Sequence, residues 1–193
     1  MSKKVLIILG HPNKQSFCGS LAKSYGQGAL ESGAEIKEIF LGDLQFELNL
    51  RTGYKETQEL EPDLVEAQRL IKWSEHQVWV YPTWWGTYPA LMKGFLDRTF
   101  LPDFAFKYRE NSVWWDKFLT GKSARLLITL DAPVYYNWLM YGSANQKALK
   151  KATLGFCGIK PVRVTSFGQV KFSDEAKRQK WLGQAKKLGT QLI

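Results

Sequence analysis

Cysteine is nearly absent from this chain of 193 residues. Cys18 and Cys157 are the only two, and neither sits at a spacing that would build a metal site. This excludes a disulfide framework and a zinc centre, so no metal is expected, and it points to a reducing cytoplasm. Long apolar runs are missing too. None approaches the roughly 20 residues that span a bilayer, and Met1-Ser2-Lys3-Lys4 leads directly into the short run Val5-Leu6-Ile7-Ile8-Leu9. Neither a signal peptide nor an anchor is expected, and hence no stable membrane insertion. Two phosphate-binding signatures are also lacking. No GxGxxG and no GxxxxGK(S/T) occurs, which rules out the Rossmann fingerprint and the P-loop.

Charge is uneven rather than scarce. The formal net charge is +9; residues 1–106 carry 11 Lys or Arg against 13 Asp or Glu, and residues 107–193 carry 16 against 5. Such a field attracts phosphate-bearing ligands, nucleic acid or anionic lipid. Dense basic runs are missing, however, and the aromatics gather in loops instead of interleaving with Lys and Arg, which argues against nucleic acid. Solvated helix faces account for most of the excess, with modest steering of an anionic dinucleotide as a further consequence.

Short continuous apolar runs alternate with amphipathic stretches. Strands are predicted over Val5–Leu9, Ile36–Leu41, Val78–Tyr81, Arg125–Leu130 and Val162–Phe167. Continuous hydrophobicity marks strands buried on both faces, as in a parallel sheet. Ser16 is placed to cap a first helix that turns Leu21, Tyr25 and Leu30 inward and ends near Gly33. Glu61-Pro62-Asp63 opens a second, and a third starts near Pro89. A fourth runs from about Ser143 to Leu154, and Ser173 caps a last one striped by Trp181, Leu182, Ala185, Leu188 and Leu192. Gln45–Leu60 reads as a long loop, and Pro102–Gly121 as an irregular aromatic insertion. Five βα units give one α/β domain over residues 1–193, a doubly wound three-layer sandwich on a five-stranded parallel sheet, for which the flavodoxin-like 2-1-3-4-5 is one of the common strand orders.

In that order the loops after the first, third and fourth strands meet beyond the strands' carboxyl ends, where open sheets bind ligands. The first, Gly10–Cys18, opens a helix, so free amides near Ser16, Phe17 and Cys18 can face a phosphate, with His11, Asn13 and Ser16 as added donors. Ser16 as a plain N-cap and His11 as an ordinary loop residue are equally open readings. The second, Tyr81-Pro82-Thr83-Trp84-Trp85-Gly86-Thr87-Tyr88-Pro89, is stiffened by proline and faced with indoles. Trp84 and Trp85 can wall a flat ring, and the backbone from Thr83 to Gly86 can donate to its carbonyl edge, as a flavin requires. The alternative is core packing, although adjacent residues seldom face the same way. The third loop is Asp131-Ala132-Pro133-Val134-Tyr135-Tyr136-Asn137.

Over nearly its whole length the chain resembles the NAD(P)H:quinone oxidoreductase family, the DT-diaphorase-like branch of flavodoxin-like folds. The likeness is strongest in Leu6–Pro12 with Ser16-Phe17 and in Pro82–Arg98; Phe104–Tyr108 and Phe156-Cys157-Gly158 also match. It implies a bound flavin reduced by NAD(P)H, which then reduces a quinone or similar acceptor by two-electron, ping-pong hydride transfer. It also implies that His11, Ser16, Phe17 and Cys18 hold the flavin phosphate region, and that Pro82, Thr83, Trp84, Trp85 and Gly86 hold the isoalloxazine. A homodimer with shared sites is implied too, in which Phe106 and Tyr108, with no obvious core role, reach over the partner's flavin. Tyr135 joins them in the substrate pocket.

Two departures stand out. Where the family has a glycine pair, a tyrosine and a histidine after the fourth strand, this chain has Asp131-Ala132 and, near the histidine position, Tyr141. Tyr136 or Tyr141 is the candidate catalytic partner, or else both are pocket wall. The chain also stops at Ile193 without the family's C-terminal extension, which favours FMN over FAD. Two other readings stay open: a flavodoxin-like one-electron carrier, and a regulatory subunit of a membrane transporter.

Overall fold

The computed structural model describes residues 2–56 and 58–192. Its core is a five-stranded parallel sheet in the order β2-β1-β3-β6-β7. These strands are β1 (Lys4–Leu9), β2 (Glu35–Phe40), β3 (His76–Pro82), β6 (Ser123–Leu130) and β7 (Val162–Gly168). Counting only the sheet's own strands, this is the expected order 2-1-3-4-5. β3 and β6, the two central apolar runs, are buried almost throughout, as strands covered on both faces must be.

Alternate residues feed two cores. Leu6, Ile8, Trp79, Tyr81, Leu126 and Ile128 face one way, against α2 (Pro62–Trp73) and α3 (Ala90–Thr99). Ile7, Val78, Val80 and Leu127 face the other way, against α1 (Phe17–Glu31) and α6 (Glu175–Gln191). This period of two creates the three layers. α1 and α6 approach backbone to backbone: a Cβ on Gly28 would lie 1.9 Å from the Lys186 carbonyl oxygen, and one on Gly189 would lie 2.1 Å from that of Tyr25.

The described residues of the 44–61 loop form no regular element and are fastened to α3 by Arg98. Arg98, fully buried, donates to the Glu47 and Glu59 carbonyls at 2.7 and 2.8 Å and pairs with Glu61 at 2.8 Å. The aromatic insertion contains a small antiparallel hairpin, β4 (Phe106–Tyr108) with β5 (Trp115–Lys117). After β6 come α4 (Val134–Tyr141) and α5 (Ala144–Lys147), which continues as a π-helix over Ala148–Gly155.

Four expectations are corrected. Val134–Tyr141 is helix rather than loop: Pro133 precedes its first turn and Gly142, in the left-handed region, ends it. Leu30 is 60% exposed instead of inward, because the inward stripe of α1 runs through Leu21, Tyr25 and Ala29. Asp174, not Ser173, caps α6, its carboxylate accepting from the Lys177 N–H at 2.8 Å. Phe106 does have a core role, lying 8% exposed against Phe156 with ring centroids 5.0 Å apart.

No helix among the described residues is long and apolar enough to cross a membrane. Nor does any group of three or more His, Cys, Asp or Glu among them sit where it could hold a metal ion.

Candidate functional site

The three loops do meet. The Thr83 N–H donates to the Thr129 carbonyl at 2.7 Å, joining the β3 loop to β6. Cys18 Sγ lies 3.2 Å from Thr129 Oγ1, joining the start of α1 to the same point. The His11 and Trp84 rings meet edge to face with centroids 5.6 Å apart. Gly10 donates to the Val80 carbonyl at 2.8 Å and leaves no room for a side chain, since a Cβ there would lie 2.7 Å from Met92 Sδ.

The first loop presents amides. Ser16 caps α1, its hydroxyl accepting from the Gly19 N–H at 3.2 Å. The Phe17 and Cys18 N–H groups, first in the helix, have no acceptor among the described residues, so they carry the positive end of the helix dipole outward. Arg178 strengthens that field from α6, its guanidinium 5.7 Å from the centre of the Phe17 ring. The Phe17 ring itself leans on Trp181, with centroids 5.8 Å apart. The Cys18 side chain points into the core, where burial pushes its thiol up to about 12. It can therefore offer a ligand only its backbone. Burial holds His11 below its usual range, so it is neutral at pH 7. Its Nδ1 accepts from the Asn13 N–H at 2.9 Å, which leaves the proton on Nε2.

The second loop is a tight reverse turn. Trp84 and Thr87 exchange both backbone hydrogen bonds, at 2.8 and 3.0 Å, across Trp85 (φ +48°) and Gly86 (φ +76°). Two successive positive φ angles fit glycine well and tryptophan poorly. The turn keeps Trp85 wholly exposed while the Trp84 ring turns to His11. The expected row of donors from Thr83 to Gly86 is thus reduced. The Thr83 and Trp84 amides are spent inside the protein, and only those of Trp85 and Gly86 lack an acceptor among the described residues. Pro82 is buried at the end of β3. A cavity of about 630 Å³ opens from this turn toward Leu48 and the first turns of α3.

A residue that sequence reasoning missed holds this loop. Asn145 is fully buried at the start of α5; its Nδ2 donates to Thr83 Oγ1 at 2.8 Å and its Oδ1 accepts from Asn137 Nδ2 at 3.0 Å. The Tyr81 hydroxyl donates to the Asn145 carbonyl at 2.9 Å. One asparagine thereby ties α4, α5 and the β3 loop together. Asn145→Ala should cost about 1–3 kcal/mol, because it strands the buried Asn137 amide and the half-buried Thr83 hydroxyl. It should also weaken any ligand held by the Trp84 turn. Urea unfolding together with a flavin titration checks both effects.

The tyrosines lie on α4. Tyr135, Tyr136 and Tyr141 are 71%, 40% and 54% exposed, and the Tyr136 and Tyr141 rings meet with centroids 5.8 Å apart. α4 is inverted relative to an ordinary surface helix: Asn137 is its one buried residue, and its apolar side chains face out. Phe106 and Tyr108 line a different cavity, of about 360 Å³, shared with Tyr54, Phe156 and, from the second loop, Tyr88, and no residue of the first loop lines it. Within one chain they do not cover the three-loop crevice.

A family model described as a flavodoxin-like fold matches residues 3–191. The chain belongs to that flavodoxin-like family. Among its relatives, an NAD(P)H oxidoreductase of Haemophilus influenzae of otherwise uncharacterized role is 29% identical over 184 residues, spanning 90% of this chain and 88% of that protein. The mouse ribosyldihydronicotinamide dehydrogenase (quinone) is 28% identical over 203 residues, spanning 91% and 86%. An FMN-dependent NADH-azoreductase of Bacillus anthracis, solved with FMN, superposes with a TM-score of 0.78 at 21% identity, covering 98% of this chain and 99% of that one. The flavodoxin-like order of strands explains why the β1, β3 and β6 loops share one crevice.

Proposed function

We propose that this flavodoxin-like chain is a flavin-dependent NAD(P)H oxidoreductase that reduces quinone-type acceptors, with FMN as its flavin. One observation carries the reading: two pairs of unpartnered amides, Phe17–Cys18 and Trp85–Gly86, stand on loops joined through His11 and Trp84. The first pair, at a helix start with Arg178 beside it, suits a phosphate. The second suits the carbonyl edge of a flat ring, with Trp84 as a wall and His11 Nε2 as a further donor. Bound flavin supplies the hydride chemistry, so no side chain need be a strong acid or base. The chain's task is to hold the ring, admit donor and acceptor in turn, and offer hydroxyls from Tyr136 or Tyr141 to charge on the reduced ring. The names of the relatives support the donor and the acceptor class, and the Bacillus protein's FMN supports the flavin.

A second copy completes the site in this reading. Phe106 and Tyr108 do not cover their own crevice, and α4 exposes Tyr135, Trp138, Leu139 and Met140 without a partner. A homodimer would bury the outward face of α4 and bring the exposed Tyr108, backed by Phe106, over the partner's flavin.

The test is a visible spectrum of the purified protein, then anaerobic NADPH, then a quinone. A flavin spectrum that bleaches with NADPH and recovers fully with quinone is expected. A colourless protein that takes up neither FMN nor FAD would overturn the reading.

A further inference from the structure

A cleft of about 820 Å³ lies between β5, the π-helix and the start of β7, and shares no residue with the three loops. Val162, which lines it, pairs with Ala124 at the amino end of β6. The cleft is therefore at the opposite end of the sheet from the candidate flavin crevice. Its floor is aromatic. Trp115 and Phe156 stack with centroids 4.3 Å apart and planes 16° apart, fixed by the Trp115 indole N–H donating to the Phe156 carbonyl at 2.9 Å. Ile159 and Val162 extend that apolar floor.

The rim is cationic. Lys117, Lys150, Lys151 and Lys160 line the cleft, no acidic residue does, and none of the four lysines is in an ion pair among the described residues. The π-helix helps to gather them. Its wide turn places Lys150, Lys151 and Gly155 on one wall, and Gly155 lets the turn close where a Cβ would stand 3.0 Å from the Lys150 carbonyl oxygen.

Two features of this cleft are unfavourable when it is empty: apolar ring surface in water, and four like charges around it. A single kind of ligand relieves both. A flat aromatic body buries the floor, and an anionic group on its edge meets the ammonium ions. Lysines, as flexible point charges, take a carboxylate, sulfonate or phosphate without the geometric demand of a guanidinium fork. We infer that this cleft is an accessory binding site for small aromatic anions, separate from the flavin crevice of its own chain.

The test titrates 2-naphthalenesulfonate into the protein as purified, followed by calorimetry, with uncharged naphthalene as the comparison. One saturable site is expected, weakened by added salt and preferring the sulfonate. The double variant Lys150→Ala/Lys151→Ala, which changes only rim side chains, should bind about two- to thirtyfold more weakly, as for the loss of two solvent-facing charge contacts. Trp84→Ala, in the crevice, should leave the affinity unchanged. The inference is overturned if no site is found, if loss of the lysines has no effect, or if Trp84→Ala is the variant that abolishes binding.

Discussion

Gly19→Ala is expected to lower the affinity for FMN by about 100-fold, the penalty that an ångström-scale displacement of a positioning group can carry. The Lys14 carbonyl oxygen lies 1.8 Å from where a Cβ on Gly19 would sit, and the carbonyl carbon 2.8 Å away. Backbone cannot rotate aside as a side chain can, so the methyl must lift residues 12–15 off the start of α1. Those residues carry Asn13, whose amide fixes His11 and whose carbonyl accepts from the Ser16 N–H at 3.2 Å. The N-cap and the Phe17 and Cys18 amides move with them. Fluorescence titration of flavin-free protein reads the change. Gly183→Ala is the control, since nothing lies within 4 Å of a Cβ there, and alanine in a helix should if anything stabilise. An unchanged FMN affinity in Gly19→Ala would mean that the start of α1 is not the phosphate seat.

The sheet was legible because its physics is local. A run such as Val78-Trp79-Val80-Tyr81 has few fates other than a strand covered on both faces, and the order of such runs fixes where the loops collect. Ser16 and Glu61-Pro62 were legible as helix starts for the same reason, since a cap or a first-turn proline acts on its own neighbours. α4 was not legible. Its residues Val134–Tyr141 carry no apolar stripe with a polar back; the buried side is Asn137 and the rest faces outward. Periodicity detects a helix that buries its apolar face in its own chain, and this one does not. Asn145 was invisible for a different reason. A lone asparagine in a helix gives no sequence signal, and its importance arises only when folding sets Thr83 and Asn137 within 3.0 Å of it.

The site was legible as a set of loops but not as a set of atoms. The motif Pro82–Pro89 identifies a stiff aromatic turn, while the exchange of hydrogen bonds between Trp84 and Thr87 decides that the amides of Trp85 and Gly86 are the ones left over. Cys18 shows the same gap. Its place in the first loop made it a candidate for a ligand, but its position on the helix sends the thiol to Thr129 and leaves only the N–H outside.

Acid is expected to weaken this fold in part through a histidine buried at the far end of the sheet. His76 is 1% exposed and is held between the Tyr25 hydroxyl at 3.1 Å from Nε2 and the Ser123 hydroxyl at 2.8 Å from Nδ1. Both hydroxyls could accept from an imidazolium, so hydrogen bonding does not forbid protonation. Burial does, and the nearby cations Lys3, Arg125 and Arg163 add to it, pushing the pKa down to about 3. In the unfolded chain the ring titrates near about 6.5. Below that pH the unfolded state binds a proton that the folded state refuses, so stability is full above about pH 6.5 and falls as the pH drops toward 3. By pH 4 the loss from this residue alone is about 3 kcal/mol. His76→Gln keeps a side chain that can both donate and accept, and it cannot titrate. It should be the less stable protein near pH 7 but lose about 3 kcal/mol less than the parent between pH 7 and pH 4, as measured by urea unfolding at each pH. Carboxylates contribute equally to both proteins and cancel in the comparison. Parallel losses in the two proteins would place the acid sensitivity elsewhere and show that the buried ring accepts its proton without cost.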